Sequence, residues 1–247
     1  MENKKIVCLD DCPLTLKRLE KTFSQYGYQV FTTTEWAKLT PLIFREKIPI
    51  LLIDVHMPGV SGEKITTVLK QNLPQLKVIF FSSIPEKELQ QLAQKYNADG
   101  WISKSSPPQA WLQEVENALQ EQHNLRSKTI LCLDDDPLFL KKIQSLLEHK
   151  GYQVIVAKSY LEARKYLLQQ SCGLVLLDIL LPGLQGDKIC QLIKSTSPNI
   201  KVVYLSILSE KELQNYTQQT NADSWINKEN ITQIPEKIQT LLSSMEV

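Results

Sequence analysis

The sequence predicts two α/β domains in tandem, each a parallel sheet covered by crossover helices. The chain is written twice: residue i and residue i+124 match from the first strand to beyond Lys104 without insertion or deletion, so IVCLDDCP at Ile6 returns as ILCLDDDP at Ile130. Within each copy, short apolar runs bounded by turn residues alternate with longer amphipathic stretches, the pattern of parallel strands joined by helices. With 247 residues and 43% apolar content, each half is long enough to bury its own core.

The first strand is expected over 5–9 and runs into Asp10 and Asp11. A helix over 13–26 begins at Pro13, whose fixed φ and missing N–H suit the first helical position. Cys12 is then the N-cap; its counterpart Asp136, ahead of Pro137, should cap better by roughly 1 kcal/mol. A strand over 28–32 and a helix over 35–46 follow. The apolar run ILLI at 50–53 makes a strand ending at Asp54, and a helix spans 62–72. A strand over 77–81 ends at Ser82, and the next helix, 86–96, opens with EKELQ, which recurs unchanged from Glu210 to Gln214. A fifth strand, 100–103, leads into Lys104, and a last helix covers about 107–122. Adding 124 gives the second set. The domains are thus 1–123 and 129–247, with 124–128 as a short polar linker into which the preceding helix is able to continue.

Charge and cysteine content narrow the function. Residues 1–124 hold 14 basic and 14 acidic side chains and the remainder 14 and 13, so neither half has the basic excess of a nucleic-acid binder. No apolar stretch approaches the roughly 20 residues of a membrane span. Cys8, Cys12, Cys132, Cys172 and Cys190 show neither metal-ligand spacing nor a secretion signal, so a reduced, cytoplasmic protein is expected. Cys8 and Cys132 lie in apolar runs, where a free thiol acts as a small hydrophobe.

In an open parallel sheet, functional groups gather outside the carboxyl ends of the strands. Asp10, Asp11, Asp54, Ser82 and Lys104 all stand at such ends, as do Asp134, Asp135, Asp178, Ser206 and Lys228. Three carboxylates brought together raise one another's pKa unless a cation joins them. Mg2+ meets that demand, being a hard ion held by one or two carboxylates with waters and phosphate oxygens. A carboxylate beside it can attack phosphorus to give an aspartyl-phosphate, with the lysine neutralising the transferred group. Taken singly, each residue has a plainer reading: Asp10 and Asp11 as acids at a helix entry, Ser82 as a strand-end hydroxyl, Lys104 as a solvated charge, Trp101 as core. Their conjunction at matched strand ends, twice over, favours the functional reading.

These residues carry a resemblance. LDD after the first strand, Asp54 followed by Met57-Pro58-Gly59, Ser82 and Lys104 are similar to the receiver domain of two-component response regulators, and Asp134-Asp135, Asp178, Leu181-Pro182-Gly183, Ser206 and Lys228 repeat the pattern. The resemblance implies two flavodoxin-like (βα)5 doubly wound domains that take a phosphoryl group from a sensor histidine kinase or phosphotransfer protein onto Asp54 and Asp178. It further implies that Asp11 ligates Mg2+ directly, Asp10 partly through water, and the backbone carbonyl of His56 completes the set; Asp135, Asp134 and the carbonyl of Leu180 do so in the second copy. Trp101 and Trp225 occupy the position of the family's switch aromatic.

The copies also depart from the family and from each other. Lys104 precedes Ser105 and Lys228 precedes Glu229, where many receivers have proline after a cis bond, so a trans bond is expected here. Ser83 beside Ser82 becomes Ile207 beside Ser206, a bulkier neighbour for the phosphoryl group. The last expected helix reaches the end of the chain, so no attached output domain is expected. Output then falls to contact with an unknown downstream protein, and the domains pair either with each other or across a dimer. Two rival readings are a partly degenerate scaffold, the second domain binding partners without phosphorylation, and a Mg2+-dependent hydrolase. The hydrolase would carry an acid two residues past its nucleophile, where His56 and Leu180 stand, so an enzyme is not expected.

Overall fold

Strands β1 (Lys5–Leu9), β3 (Ile50–Ile53) and β4 (Lys77–Ser82) are buried along their length apart from Lys5 and Lys77. β2 (Gln29–Thr33) and β5 (Gly100–Ser103) are only partly buried. Strands buried on both faces belong in the middle of a covered parallel sheet, and the sheet order is β2-β1-β3-β4-β5 with every pairing parallel. These are the features of a computed structural model describing residues 4–169 and 171–243.

Side chains alternate across the sheet with the period of two that a strand imposes. Ile6, Cys8, Ile50, Leu52, Ile79 and Phe81 face helices α1 (Pro13–Gln25) and α5 (Pro108–Ser127), meeting Leu16, Leu19, Phe23, Trp111 and Val115. Val7, Leu9, Leu51, Ile53, Val78 and Phe80 face α2 (Leu39–Glu46), α3 (Gly62–Asn72) and α4 (Glu86–Lys95). The second repeat follows the same plan. Its elements are β6 (Thr129–Leu133), α6 (Pro137–Glu148), β7 (Gln153–Ala157), α7 (Tyr160–Leu168), β8 (Leu174–Asp178), α8 (Gly186–Thr196), β9 (Lys201–Ser206), α9 (Glu210–Thr220), β10 (Ser224–Asn227) and α10 (Ile234–Ser243). Its sheet order is β10-β9-β8-β6-β7. Both domains are thus flavodoxin-like, doubly wound around a switch point between β1 and β3, or β6 and β8.

The chain separates into a compact unit ending at Gln122 and another starting at His123. Helix α5 nevertheless continues to Ser127, so residues 124–127 of the expected linker are helical and β6 starts at Thr129. Among the described residues, no helix is long and apolar enough to cross a membrane.

Local chemistry explains where elements start. Asp136 accepts hydrogen bonds from Leu138 N at 2.8 Å and Phe139 N at 3.3 Å, whereas Cys12 caps α1 without a side-chain bond. The helix expected over 35–46 opens with a 3-10 turn, Trp36–Lys38, and becomes α-helical at Leu39. Gly62 starts α3 so close to β3 that a Cβ would lie 2.1 Å from the Asp54 carbonyl oxygen; at Gly186 the distance to Asp178 O is 2.2 Å.

The 124-residue register fails in the last helix. Addition predicts a helix from 231 to 246, but Lys228–Gln233 forms a 3-10 segment and α10 begins at Ile234; residues 244–247 lie outside the described residues. The core positions Trp111 and Val115 of α5 correspond to Ile234 and Ile238 of α10, an offset of 123. With one residue fewer in the connection, the helix shifts by one so that its apolar stripe still meets the sheet.

Candidate functional site

The carboxyl ends of the central strands bring the expected residues together. Asp10, fully buried, follows β1 and accepts a hydrogen bond on Oδ1 from Cys12 N at 2.9 Å. Asp134 accepts the same bond from Asp136 N at 3.0 Å. Asp54 follows β3, donates its N–H to Leu9 O and accepts on Oδ1 from His56 N at 3.3 Å; Asp178 accepts from Leu180 N at 3.0 Å. Asp11 and Asp135 stand exposed at the rim. Carboxylate oxygens of Asp10, Asp11 and Asp54 all lie within 4.8 Å of one another, as do those of Asp134, Asp135 and Asp178.

Lysine enters from the fifth strand of each sheet. Lys104 donates its N–H to Ser82 O at 2.8 Å and turns Nζ back to lie 2.7 Å from both Asp10 Oδ2 and Asp54 Oδ2. Lys228 repeats both 2.7 Å contacts with Asp134 and Asp178. In each pair, the contact with Asp54 or Asp178 is also a well-aligned hydrogen bond. An aromatic face flanks the ammonium, but from different elements: Phe81 of β4 at 5.7 Å and Phe139 of α6 at 4.8 Å.

Burial pushes the carboxyl groups of Asp10 and Asp134 above the usual range, and bonding to the lysine offsets this only in part. Burial pulls Lys104 and Lys228 down, but their carboxylate partners more than reverse it, leaving both raised. Three acids against one fixed cation leave each pocket short of positive charge. Hard oxygen donors at this spacing suit a divalent ion such as Mg2+.

Ser82 and Ser206 are buried at the ends of β4 and β9. Ser206 Oγ has no hydrogen-bond partner among the described residues, a state costing about 1–3 kcal/mol that a ligand accepting its proton would relieve. Trp101 and Trp225 are half-buried against the cores under α2–α4 and α7–α9. Lys237 Nζ donates to Trp225 O at 2.6 Å and lies 4.9 Å over its ring. His56 and Leu180 leave their side chains exposed and give only backbone to the acids. Both residues after the lysines follow trans bonds, since no peptide among the described residues is cis.

Sequence reasoning passed over a second charged cluster that also recurs. Asp99, just before β5, pairs with Lys70 of α3 and Lys77 of β4 and accepts from Val78 N at 2.8 Å. Asp223 does the same with Lys194, Lys201 and Val202 N. The available signal was identity at the 124-residue spacing. This cluster lies at the start of β4 or β9, the opposite strand end from the acids.

The family model for the response regulator receiver domain matches residues 6–116 and 130–239. The transcriptional activator protein ExaE of Pseudomonas putida is 38% identical over 76 residues, 30% of this chain and 36% of that protein. The TorCAD operon transcriptional regulatory protein TorR of Escherichia coli (strain K12) is 25% identical over 114 residues, 46% and 49% of the two chains. The chain thus spans half or less of the length of these two relatives. A solved response regulator receiver domain protein (CheY-like) from Methanospirillum hungatei JF-1 aligns with a TM-score of 0.45 at 28% identity, over 48% of this chain and 95% of that one.

Proposed function

The chain belongs to the response regulator receiver family, with two receiver domains in tandem, and from that premise we propose that it is a phosphorelay protein whose acceptors are Asp54 and Asp178. The observation that carries this reading is the doubled pocket, three acids and a lysine at matched strand ends. In it, a carboxylate oxygen of Asp54 forms a bond to phosphorus while the P–N bond of a phosphohistidine breaks. The departing imidazole keeps the electron pair and takes a proton from solvent. Lys104, already against Asp54, neutralises the charge on the transferred group, and the Ser82 hydroxyl donates to one of its oxygens. Asp178, Lys228 and Ser206 act likewise.

Asp10, Asp11, Asp54 and the His56 carbonyl would hold Mg2+ in the first domain, and Asp134, Asp135, Asp178 and the Leu180 carbonyl in the second. When bound, the ion offsets the charge of the clustered carboxylates and orients phosphoryl oxygens. Trp101 and Trp225 would report the phosphorylated state to the surface by changing rotamer. The phosphodonor is a sensor histidine kinase or phosphotransfer protein, and output passes by contact to a downstream protein.

A narrower reading makes the second domain a scaffold that binds partners without taking phosphate. The exposed Ile207 and Leu180 beside its pocket favour it. Intact-mass measurement after incubation with Mg2+ and a small phosphodonor separates the two. Two phosphoryl additions are expected, one lost in Asp54→Asn, the other in Asp178→Asn and both in the double variant. Labelling confined to Asp54 supports the scaffold, and rapid release of phosphate by wild type with no phosphoryl adduct accumulating, absent from the double variant, supports a hydrolase.

A further inference from the structure

The two domains anchor their lysines by different means. In the first, the Lys104 carbonyl accepts from Arg18 Nη1 at 3.3 Å, and the Arg18 guanidinium lies 4.4 Å over the ring of Trp111. Trp111 Nε1 in turn donates to Ser103 O at 3.3 Å. Helices α1 and α5 thus grip the backbone on either side of the peptide that carries Lys104. The preceding Ser103 turns inward on its own loop, its Oγ lying 2.7 Å from Ser105 Oγ.

The second domain has neither part of that grip, since Lys142 stands in place of Arg18 and Ile234, which has no ring and no side-chain N–H, takes the core position of Trp111. Asn227, the counterpart of Ser103, takes over. Its Nδ2 donates to Leu208 O at 3.0 Å and its Oδ1 accepts from Glu229 N at 2.8 Å. One bond fixes the chain just after Lys228. The other ties β10 to the loop that follows Ser206 and Ile207, a side-chain link from the lysine's strand to the hydroxyl's loop that Ser103 does not make in the first domain.

We infer that Arg18 is the positioning residue of Lys104 and Asn227 that of Lys228. A lysine side chain has four rotatable bonds, and its ammonium reaches two carboxylates at once only if the backbone beneath it is fixed. Without a proline directly after either lysine, these side chains supply the constraint. The inference rests on the reading of Lys104 and Lys228 as the cations that meet the phosphoryl group, and it adds that the two sites are adjusted separately from outside the acid pockets.

The test uses the full chain with one acceptor left, Asp178→Asn to read Asp54 and Asp54→Asn to read Asp178, labelled with Mg2+ and phosphoramidate. Arg18→Ala is expected to slow Asp54 by about ten- to a hundredfold, the scale of a small misplacement of a reacting group, and to leave Asp178 unchanged. Asn227→Ser, which installs the residue found in the first repeat, is expected to do the reverse. In both, the maximal rate should fall while the phosphoramidate KM and the Mg2+ affinity, read by tryptophan fluorescence, stay near wild type. Crystal structures of the variants should show the lysine Nζ moved from its 2.7 Å contacts. Equal slowing at both sites, no slowing, or lysines still seated on both carboxylates overturns the inference. A wild type that labels at neither aspartate defeats the phosphoacceptor reading instead, and the crystallographic comparison still decides the positioning claim.

Discussion

Ile207 illustrates how far single residues separate two otherwise matching pockets. It is 70% exposed beside Ser206, and Leu180 beside Asp178 is 50% exposed; Ser83 and His56 hold those places in the first domain. A phosphodonor or attacking water reaching Asp178 must shed hydration against methyl groups that offer no hydrogen bond in return. The Ser83 hydroxyl offers one. Ile207→Ser is therefore expected to speed both labelling and hydrolysis at Asp178 by about tenfold, the rate equivalent of roughly 1.4 kcal/mol. Labelling and decay curves in the Asp54→Asn background check this, and two unaltered rates would remove Ile207 from the explanation.

At the scale of elements, the charged cluster under α3 shows what binds a helix to its sheet. Lys70, Lys77 and Asp99 leave only 11%, 11% and 15% of their side chains exposed, and burial holds the Lys70 pKa below its ordinary value despite Asp99. Asp99→Ala would take the carboxylate from both ammonium groups, leaving Lys70 only the Leu76 carbonyl, and would take the acceptor of the Val78 N–H, a change expected to cost about 3 kcal/mol in urea unfolding of the first domain. A loss below about 0.5 kcal/mol would mark the trio as ordinary surface pairs. The sequence marks these residues only by their recurrence, because nothing in one-dimensional spacing shows that α3 lays Lys70 over the start of β4. The strands were legible for the opposite reason. ILLI at 50–53 and VIFF at 78–81 are too short for a buried helix and too apolar for a loop, and the acids that follow them mark the carboxyl edge. The displaced start of α10 was illegible because after Lys228 the paired identities thin to Gln109 and Gln233, and only the stripe Ile234, Ile238, Leu242 records the missing residue. Arg18 and Asn227 belong to no motif, so their role as anchors shows only once α1 and the loop after β9 are folded into place.

Across the whole molecule, the buried thiols and phenols set a limit on stability in alkali. Burial pushes Cys8 in the first unit, and Cys132 in the second, well above the ordinary thiol value of 9.0, and Cys172 in the second up to about 12. Tyr28 is raised from 10.0 to about 12, and Tyr204 is also raised, both chiefly by burial. In the unfolded chain these groups ionise at their ordinary values, so above pH 9 the unfolded state binds fewer protons than the folded one. Stability must then fall as pH rises, by up to about 1.4 kcal/mol per pH unit for each group that is ionised only when unfolded. Below pH 8 these groups add no slope. Burial also raises Cys190 and Tyr152, so the second unit holds Cys132, Cys172, Cys190, Tyr152 and Tyr204 against Cys8 and Tyr28 in the first, and its unfolding midpoint in urea, measured under reducing conditions, is expected to fall more steeply between pH 9 and the folded-state values. Replacing Cys132 and Cys172 with alanine removes two of its titrating groups and should bring the two slopes closer, with Cys190, Tyr152 and Tyr204 left against Cys8 and Tyr28, after allowing for the smaller side chains at neutral pH. Equal slopes before the replacement, or a slope that survives it undiminished, would show that other groups govern the alkaline limit.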